Sequence, residues 1–299
     1  MSLTKYRAFI RVAELGSITK AAMELSYSQP GISHMISALE KQFGFPLLVR
    51  SKDSAVLTKN GEKVLYYCKQ VIAADDKLQN EVNSLNGMIV ATINICAYNS
   101  MLFRYIPKAI TGFVSTHPDV KLMIEETGYE DAWKNLLDGT IDLAFMSDLI
   151  PGGFEFKPLF HDTLGILVNE RHPFAKLDKV SIDMLNGCDY IMSREAWDDV
   201  TRQIVMTRPF QPKVRHYVAS DTAGIALVNT NMGVYPVSNL MKPLLPDTIR
   251  FIEFEEGVHR NLGLCAKSFT DMSPEVKELV KCILDANKNP RLKNYAMSV

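Results

Sequence analysis

Residues 16–43 constrain this chain more than any other stretch. Ile18, Ala21, Ala22 and Leu25 fall on one helical face, with Ser17 placed to cap the opening N–H groups. A polar turn of Ser26, Tyr27 and Ser28 follows. Pro30 then falls in the first turn of a second helix, where its missing N–H costs nothing. From there Ile32, Ile36, Leu39 and Phe43 recur at spacings of four, three and four, directing one stripe at a core. Opposite them run Gln29, Ser33, Ser37 and Lys41, with His34 alongside. Two short amphipathic helices joined by a tight turn form a helix-turn-helix. A face of donors and acceptors without carboxylates suits a helix laid in a DNA major groove. An ordinary solvated helix pair is the competing reading, but it would usually mix Glu and Lys on that face.

The flanks extend the pattern. A helix is predicted from Thr4 to Leu15, burying Tyr6, Phe9, Ile10 and Ala13. Gly44 ends the second helix of the pair, and residues 45–50 and 54–58 read as two short strands forming a wing. Ser51, Lys52 and Asp53 form its tip, and Arg50 and Lys52 are candidate phosphate contacts. A long helix then spans Lys59 to Asn86, stopped by Gly87. Along it Val64, Cys68, Val71, Asp75, Leu78, Val82 and Leu85 alternate four and three apart, a heptad seam able to pair two chains. Asp75 interrupts the seam and either fixes register or faces another neighbour. A helix packed only on its own domain is the alternative.

Charge is uneven along the 299 residues. Positions 1–65 hold nine Lys/Arg against five Asp/Glu, a local net of +4, while the whole chain stands at −1. A basic small region on an acidic large one fits a DNA reader coupled to something else. The N-terminus shows no apolar signal region, no run approaches a membrane span, and the expected location is cytoplasmic. The scattered Cys68, Cys96, Cys188, Cys265 and Cys282 suit reduced, buried thiols. Neither metal-ligand spacing nor a nucleophile motif occurs, so the expectation is no cofactor, no metal and no enzymatic activity.

From Met88 the pattern changes. Residues 89–96 read as a strand, 101–116 as a helix, 120–125 as a strand, 129–137 as a helix and 141–146 as a strand, an order that predicts a parallel sheet. A second such unit is expected from strands at 163–169, 189–192, 213–218 and 234–237, with helices at 194–207 and 222–230. A strand at 262–266 precedes a last helix capped by Ser273, with Pro274 first and Val276, Leu279, Val280 and Ile283 inward. Trp133 and Trp197 read as packing residues, and His172-Pro173 as a loop.

The residues of the helix pair and wing resemble the amino-terminal domain of LysR-type transcriptional regulators. The resemblance rests on Leu3, Phe9, Gly16-Ser17-Ile18-Thr19, Ala21-Ala22, Leu25, Ser28-Gln29-Pro30, Ile32-Ser33, Ile36, Leu39-Glu40 and Gly44. It continues through Pro46-Leu47-Leu48-Val49-Arg50 and Leu57-Thr58-Lys59-Asn60-Gly61. Leu48 departs from the family's usual Phe, a neutral core exchange. Ser54 stands where a second basic residue commonly follows Arg50, which weakens the wing's phosphate contacts. Farther on, His117-Pro118-Asp119-Val120, residues 137–144, Arg171-His172-Pro173-Phe174 and residues 228–236 follow the family's order.

The resemblance implies an α/β chain overall, with a winged helix-turn-helix at residues 1–58 and a dimerising linker helix at 59–87. A two-lobed effector-binding domain resembling periplasmic binding proteins would occupy 88–299. Its first lobe would comprise about 88–161 and 267–299, its second about 162–266. Expected partners are double-stranded DNA, a small-molecule effector and further copies of the chain, as homodimer or homotetramer. The expected DNA contacts are Ser17, Thr19, Ser28, Gln29, Pro30, Ser33, His34, Ser37, Arg50 and Lys52. The expected pairing positions are Val64, Cys68, Val71, Leu78, Val82 and Leu85.

Ligands of open α/β sheets bind beyond strand carboxyl ends, where helix N-termini expose N–H groups. Such places are Asn99 and Ser100, Ser147 and Asp148, Ser193 and Arg194, and Asp221 and Thr222. Each also reads as simple N-capping. N–H dipoles favour a carboxylate on the effector, while Asp148 and Asp221 would favour an amine. Two other functions compete: an enzyme with a DNA-binding appendage, opposed by the lack of a catalytic motif, and a transport solute-binding protein, opposed by the helix-turn-helix.

Overall fold

The structure is a computed structural model that describes residues 3–51, 54–85, 91–193 and 199–288, without the side chains of residues 77, 80, 81 and 83–85. Lys52, Asp53, Gly87, Arg194 and Trp197 therefore lie outside the described residues, as does the side chain of Leu85. The chain divides into two units, residues 1–90 with 137–140, and residues 91–136 with 141–299.

In the first unit, α1 (Leu3–Leu15) buries Tyr6, Ala8, Phe9 and Val12. Ile10 and Ala13, expected inward, are half-buried, because the core stripe is centred on Ala8 and Val12. Gly16 takes a φ of +60° between α1 and α2 (Ile18–Glu24), a left-handed turn that suits a residue without Cβ. Ser17 Oγ caps α2 by accepting from Lys20 N at 3.4 Å. Ser28 Oγ caps α3 (Gln29–Phe43) by accepting from Gly31 N at 3.2 Å. Ile32, Ile36 and Leu39 of α3 are fully buried, and Gly44 ends the helix in the left-handed conformation. The wing is the antiparallel pair β1 (Leu48–Arg50) and β2 (Ala55–Leu57).

The long helix α4 spans Lys59–Leu85. A Cβ on Gly61 would meet the Leu47 carbonyl oxygen at 2.1 Å, so only glycine lets α4 start this close to the wing. The heptad seam divides. Val64 and Cys68, expected to pair chains, pack instead into the core of their own unit with Leu65 and Ile72. A helix resting on α1 has its first turns already committed to that neighbour. Asp75 faces α1, where Arg7 Nη2 donates to it at 3.2 Å. Tyr67, Val71, Leu78 and Val82 are left exposed on another side.

The second unit begins with β3 (Thr92–Ala97), α5 (Asn99–Arg104), α6 (Ile106–Ala109) and α7 (Thr111–Thr116). One helix was expected across α5 to α7; Pro107, which has no N–H to donate, starts a new segment. Then follow β4 (Lys121–Glu126), α8 (Tyr129–Asp138), β5 (Leu143–Ser147), β6 (Glu155–Asn169), β7 (Lys179–Val180) and β8 (Asp189–Ser193). The remaining elements are α9 (Asp199–Thr207), β9 (Lys213–Val218), α10 (Asp221–Asn229), β10 (Tyr235–Ser238), β11 (Ile249–Phe254), β12 (His259–Ala266) and α11 (Pro274–Asn287).

Strand order in the main sheet is β4-β3-β5-β12-β6-β11-β7, with β10 also on β6 and a separate β8-β9 pair. The β3, β4 and β5 pairings are parallel as expected, but β12 runs antiparallel to both β5 and β6, so the sheet is mixed. β6 crosses from lobe to lobe without interruption: residues 155–163 pair with β12, and residues 164–169 with β10 and β11. The return crossing falls earlier than residue 267, since Leu262–Cys265 already pair with Ser147–Ala144 of the first lobe. The first lobe's core includes Ile95, Phe145, Leu264 and Ile283. Ile166, Tyr190, Ile252 and Phe254 form the second. Ser273 caps α11, whose Val276, Leu279, Val280 and Ile283 point inward as predicted.

Candidate functional site

Two sites emerge, one in each unit. On α3 the buried stripe leaves Gln29, Pro30, His34 and Ser37 exposed, with Ser33 half-buried; Thr19 of α2 and Ser28 are exposed as well. Arg50 does not stand free at the wing. Its guanidinium lies across α3, donating to Ser33 Oγ at 3.1 Å, Ser37 Oγ at 3.2 Å and Glu40 Oε2 at 2.8 Å. Glu40 Oε1 also accepts from the backbone N–H groups of Leu47 and Leu48, at 2.8 and 3.2 Å. One carboxylate thus fixes the wing's entry and its arginine together. Sequence reasoning missed Glu40 because its partners lie beyond the turn that ends α3.

In the second unit a cavity of about 360 Å³ opens between the lobes. Asn99 and Ser100 reach it from the first lobe, and Ser193 and Asp221 from the second, as expected. Thr222 and Asp148 do not line it: Ser220 caps α10 one residue ahead of Asp221, and Asp148 bonds Asn261. Ser147 is buried behind the cavity, donating to Asp199 Oδ1 at 2.7 Å.

The centre of the cleft is Arg260, 3% exposed, on the strand that returns to the first lobe. Its Nε donates to Asp162 Oδ2 at 2.8 Å, its Nη1 to Asp199 Oδ2 at 2.6 Å and its Nη2 to Ser100 Oγ at 3.1 Å. Ser238 Oγ donates to Asp162 as well, and the Tyr98 ring lies 5.4 Å from the guanidinium. Burial opposes the guanidinium's charge, but Asp162 and Asp199 outweigh it and hold the group protonated. Burial likewise pushes the Asp162 carboxyl up, against the pull of Arg260 and the Ser238 hydroxyl. Neither Arg260 nor its partners in β6 and α9 were anticipated.

Asp221 is a half-buried acid in the lining of the cleft. Burial raises its pKa, opposed by the Tyr235 hydroxyl donating at 2.8 Å and by the charge of Arg260, while Glu126 raises it further.

The arrangement holds charge and polar groups. Among the described residues no cluster of His, Cys, Asp and Glu could hold a metal ion, and no helix is long and apolar enough to cross a membrane. All five cysteines are free, and burial pushes the thiols of Cys68 to about 11 and of Cys96 and Cys265 to about 12.

Comparison with known proteins gives these sites a class. Residues 3–62 match the model for the bacterial regulatory helix-turn-helix protein, lysR family, and residues 87–288 match the LysR substrate binding domain. The chain belongs to the LysR family of transcriptional regulators. It is 24% identical over 289 residues to the uncharacterized HTH-type transcriptional regulator YvbU of Bacillus subtilis, covering 94% of this chain and 97% of that protein. It is 30% identical over 187 residues to the HTH-type transcriptional regulator YtlI of the same organism, covering 62% and 60%. The fold is similar to the crystal structure of CbnR, a LysR family transcriptional regulator, with a TM-score of 0.72 at 18% identity over 97% of this chain and 100% of that one.

Proposed function

We propose that this regulator reads a specific DNA sequence through α3 and answers to a small molecule held between the lobes of its second unit. One observation carries the reading: the cleft is walled by both lobes and by Arg260 on a crossover strand, so an occupant would touch both lobes and the strand between them. In this account residues 1–58 read DNA, 59–87 link and pair chains, and 88–299 sense the effector, all in the cytoplasm. Gln29 and His34 face base edges, while Arg50 serves phosphate binding from its seat on α3. CbnR has been crystallised with its target DNA, which supports the same use of this fold here.

Pairing falls to the exposed part of the α4 stripe, Tyr67, Val71, Leu78 and Val82, in a homodimer that can associate further into a tetramer. Regulation without catalysis is the role this gives the cleft.

The test is a thermal-shift screen of the full chain against small metabolites, run beside Ala219→Trp. Ala219 lines the cavity yet is exposed, so a bulky residue there fills the cleft without disturbing a core. Metabolites that stabilise the wild type through binding should lose their effect in the variant. Hits that act equally on both proteins would place the sensor elsewhere.

A further inference from the structure

We infer that the cleft takes a small organic cation, an amine or guanidinium compound, held between Glu126 of the first lobe and Asp221 of the second. This rests on the reading of the cleft as the effector site and adds the charge of what fills it.

The cleft's own cation is spent. Arg260 uses Nε, Nη1 and Nη2 on Asp162, Asp199 and Ser100. An anionic ligand would have to displace Asp199, whose carboxylate already sits where such an anion would bind. The helix ends in the lining do not favour an anion. The α5 helix has only six residues, while α8 carries Glu130 and Asp131, α9 Asp199 and α10 Asp221 in their first turns.

The remaining charge is negative. Asp131, also in the lining, has Lys134 at 3.9 Å, but among the described residues neither Glu126 nor Asp221, which face the same cavity, forms an ion pair. The charge of Glu126 disfavours ionisation of the half-buried Asp221. One further group awaits a donor: Asn99 Oδ1, in the lining of the same cavity, is buried and accepts no hydrogen bond.

Aromatic walls complete the chemistry. Tyr129 and Tyr235 flank the acids, and Tyr129 already carries the Arg202 guanidinium 4.3 Å from its ring, so that face accepts a cation. A volume of about 360 Å³ suits an organic molecule rather than a bare ion.

The experiment uses the full chain at fixed ionic strength. Ethanolamine, putrescine, agmatine and choline are compared with glycolate, succinate and MgCl₂ by thermal shift and calorimetry, in wild type, Glu126→Gln, Asp221→Asn and Ala219→Trp. At least one amine should raise the wild-type melting temperature by about 3 °C near saturation. Its affinity should fall about tenfold or more in Glu126→Gln and in Asp221→Asn, and vanish in Ala219→Trp. Without any addition, Asp221→Asn should melt higher than wild type, because an empty cation site is relieved by losing a carboxylate.

If a carboxylate binds and no amine does, the charge assignment falls; loss of that binding in Ala219→Trp would leave the cleft intact as the sensor. Amine binding unaffected by Ala219→Trp overturns the cleft as the sensor. Stabilisation by Mg²⁺ alone, or by none of the amines, overturns the organic cation.

Discussion

Arg260 Nη1 lies 2.6 Å from Asp199 Oδ2, joining β12 to the first turn of α9 across the cleft. Both side chains are almost wholly buried, and Asp162 on β6 completes the group. Removing the guanidinium would leave two carboxylates in a site that water scarcely reaches. Arg260→Gln should therefore cost about 3–5 kcal/mol in urea unfolding of the second unit. A loss below about 1 kcal/mol, typical of exposed pairs, would mean the group is solvated.

The raised Asp221 carboxyl gives stability a pH dependence. Its folded form keeps a proton at pH values where the unfolded chain has released it, so the folded state binds more protons above the ordinary carboxylate value. Stability from this group is greatest below the unfolded pKa and declines as pH rises through the raised folded value. Asp162 shifts in the same direction. Melting temperature from pH 4 to 7 should fall less steeply in Asp221→Asn than in wild type. Parallel profiles would show that Asp221 titrates normally.

Arg50 should act on all DNA alike. Its guanidinium is tied to Ser33, Ser37 and Glu40, so it presents positive charge from α3 at a fixed place. Arg50→Ala should weaken binding to any duplex and lower the slope of log K against log salt by about 1. Glu40→Ala should release the wing and weaken binding too, through the lost acceptor for Leu47 and Leu48. A change of sequence preference in Arg50→Ala with an unchanged salt slope would instead make it a base reader.

Pairing through α4 separates two kinds of seam residue. Val71→Asp with Leu78→Asp puts carboxylates on the exposed stripe and should halve the mass seen by light scattering. Cys68→Ser touches only the unit's own core and should lower its melting temperature while leaving the mass unchanged. An unchanged mass in the double variant would assign pairing to another surface.

What the sequence disclosed follows the range of the forces involved. The helix pair was legible in full, since caps at Ser17 and Ser28 and the Ile32-Ile36-Leu39 stripe depend on neighbours within one or two turns. The α4 seam was legible as a stripe but not in its division, because α1 decides which half is covered. The polarity of the cleft was partly visible in Asn99, Ser100 and Asp221. Its centre was not: Arg260 meets partners 61, 98 and 160 residues away, and no local pattern marks such a residue. The antiparallel return of β12 was hidden for the same reason, since strand direction is fixed by which strand lies alongside.

The central claim is that α3 reads sequence, and selection from a pool of random duplexes tests it most directly. The full chain should enrich one sequence with two related half-sites, as a paired reader requires. Gln29→Ala with His34→Ala should lose that enrichment, each missing base contact worth about 1–3 kcal/mol, while keeping most of its affinity for random DNA. Enrichment of the same sequence by wild type and variant, or of none by the wild type, would contradict the account.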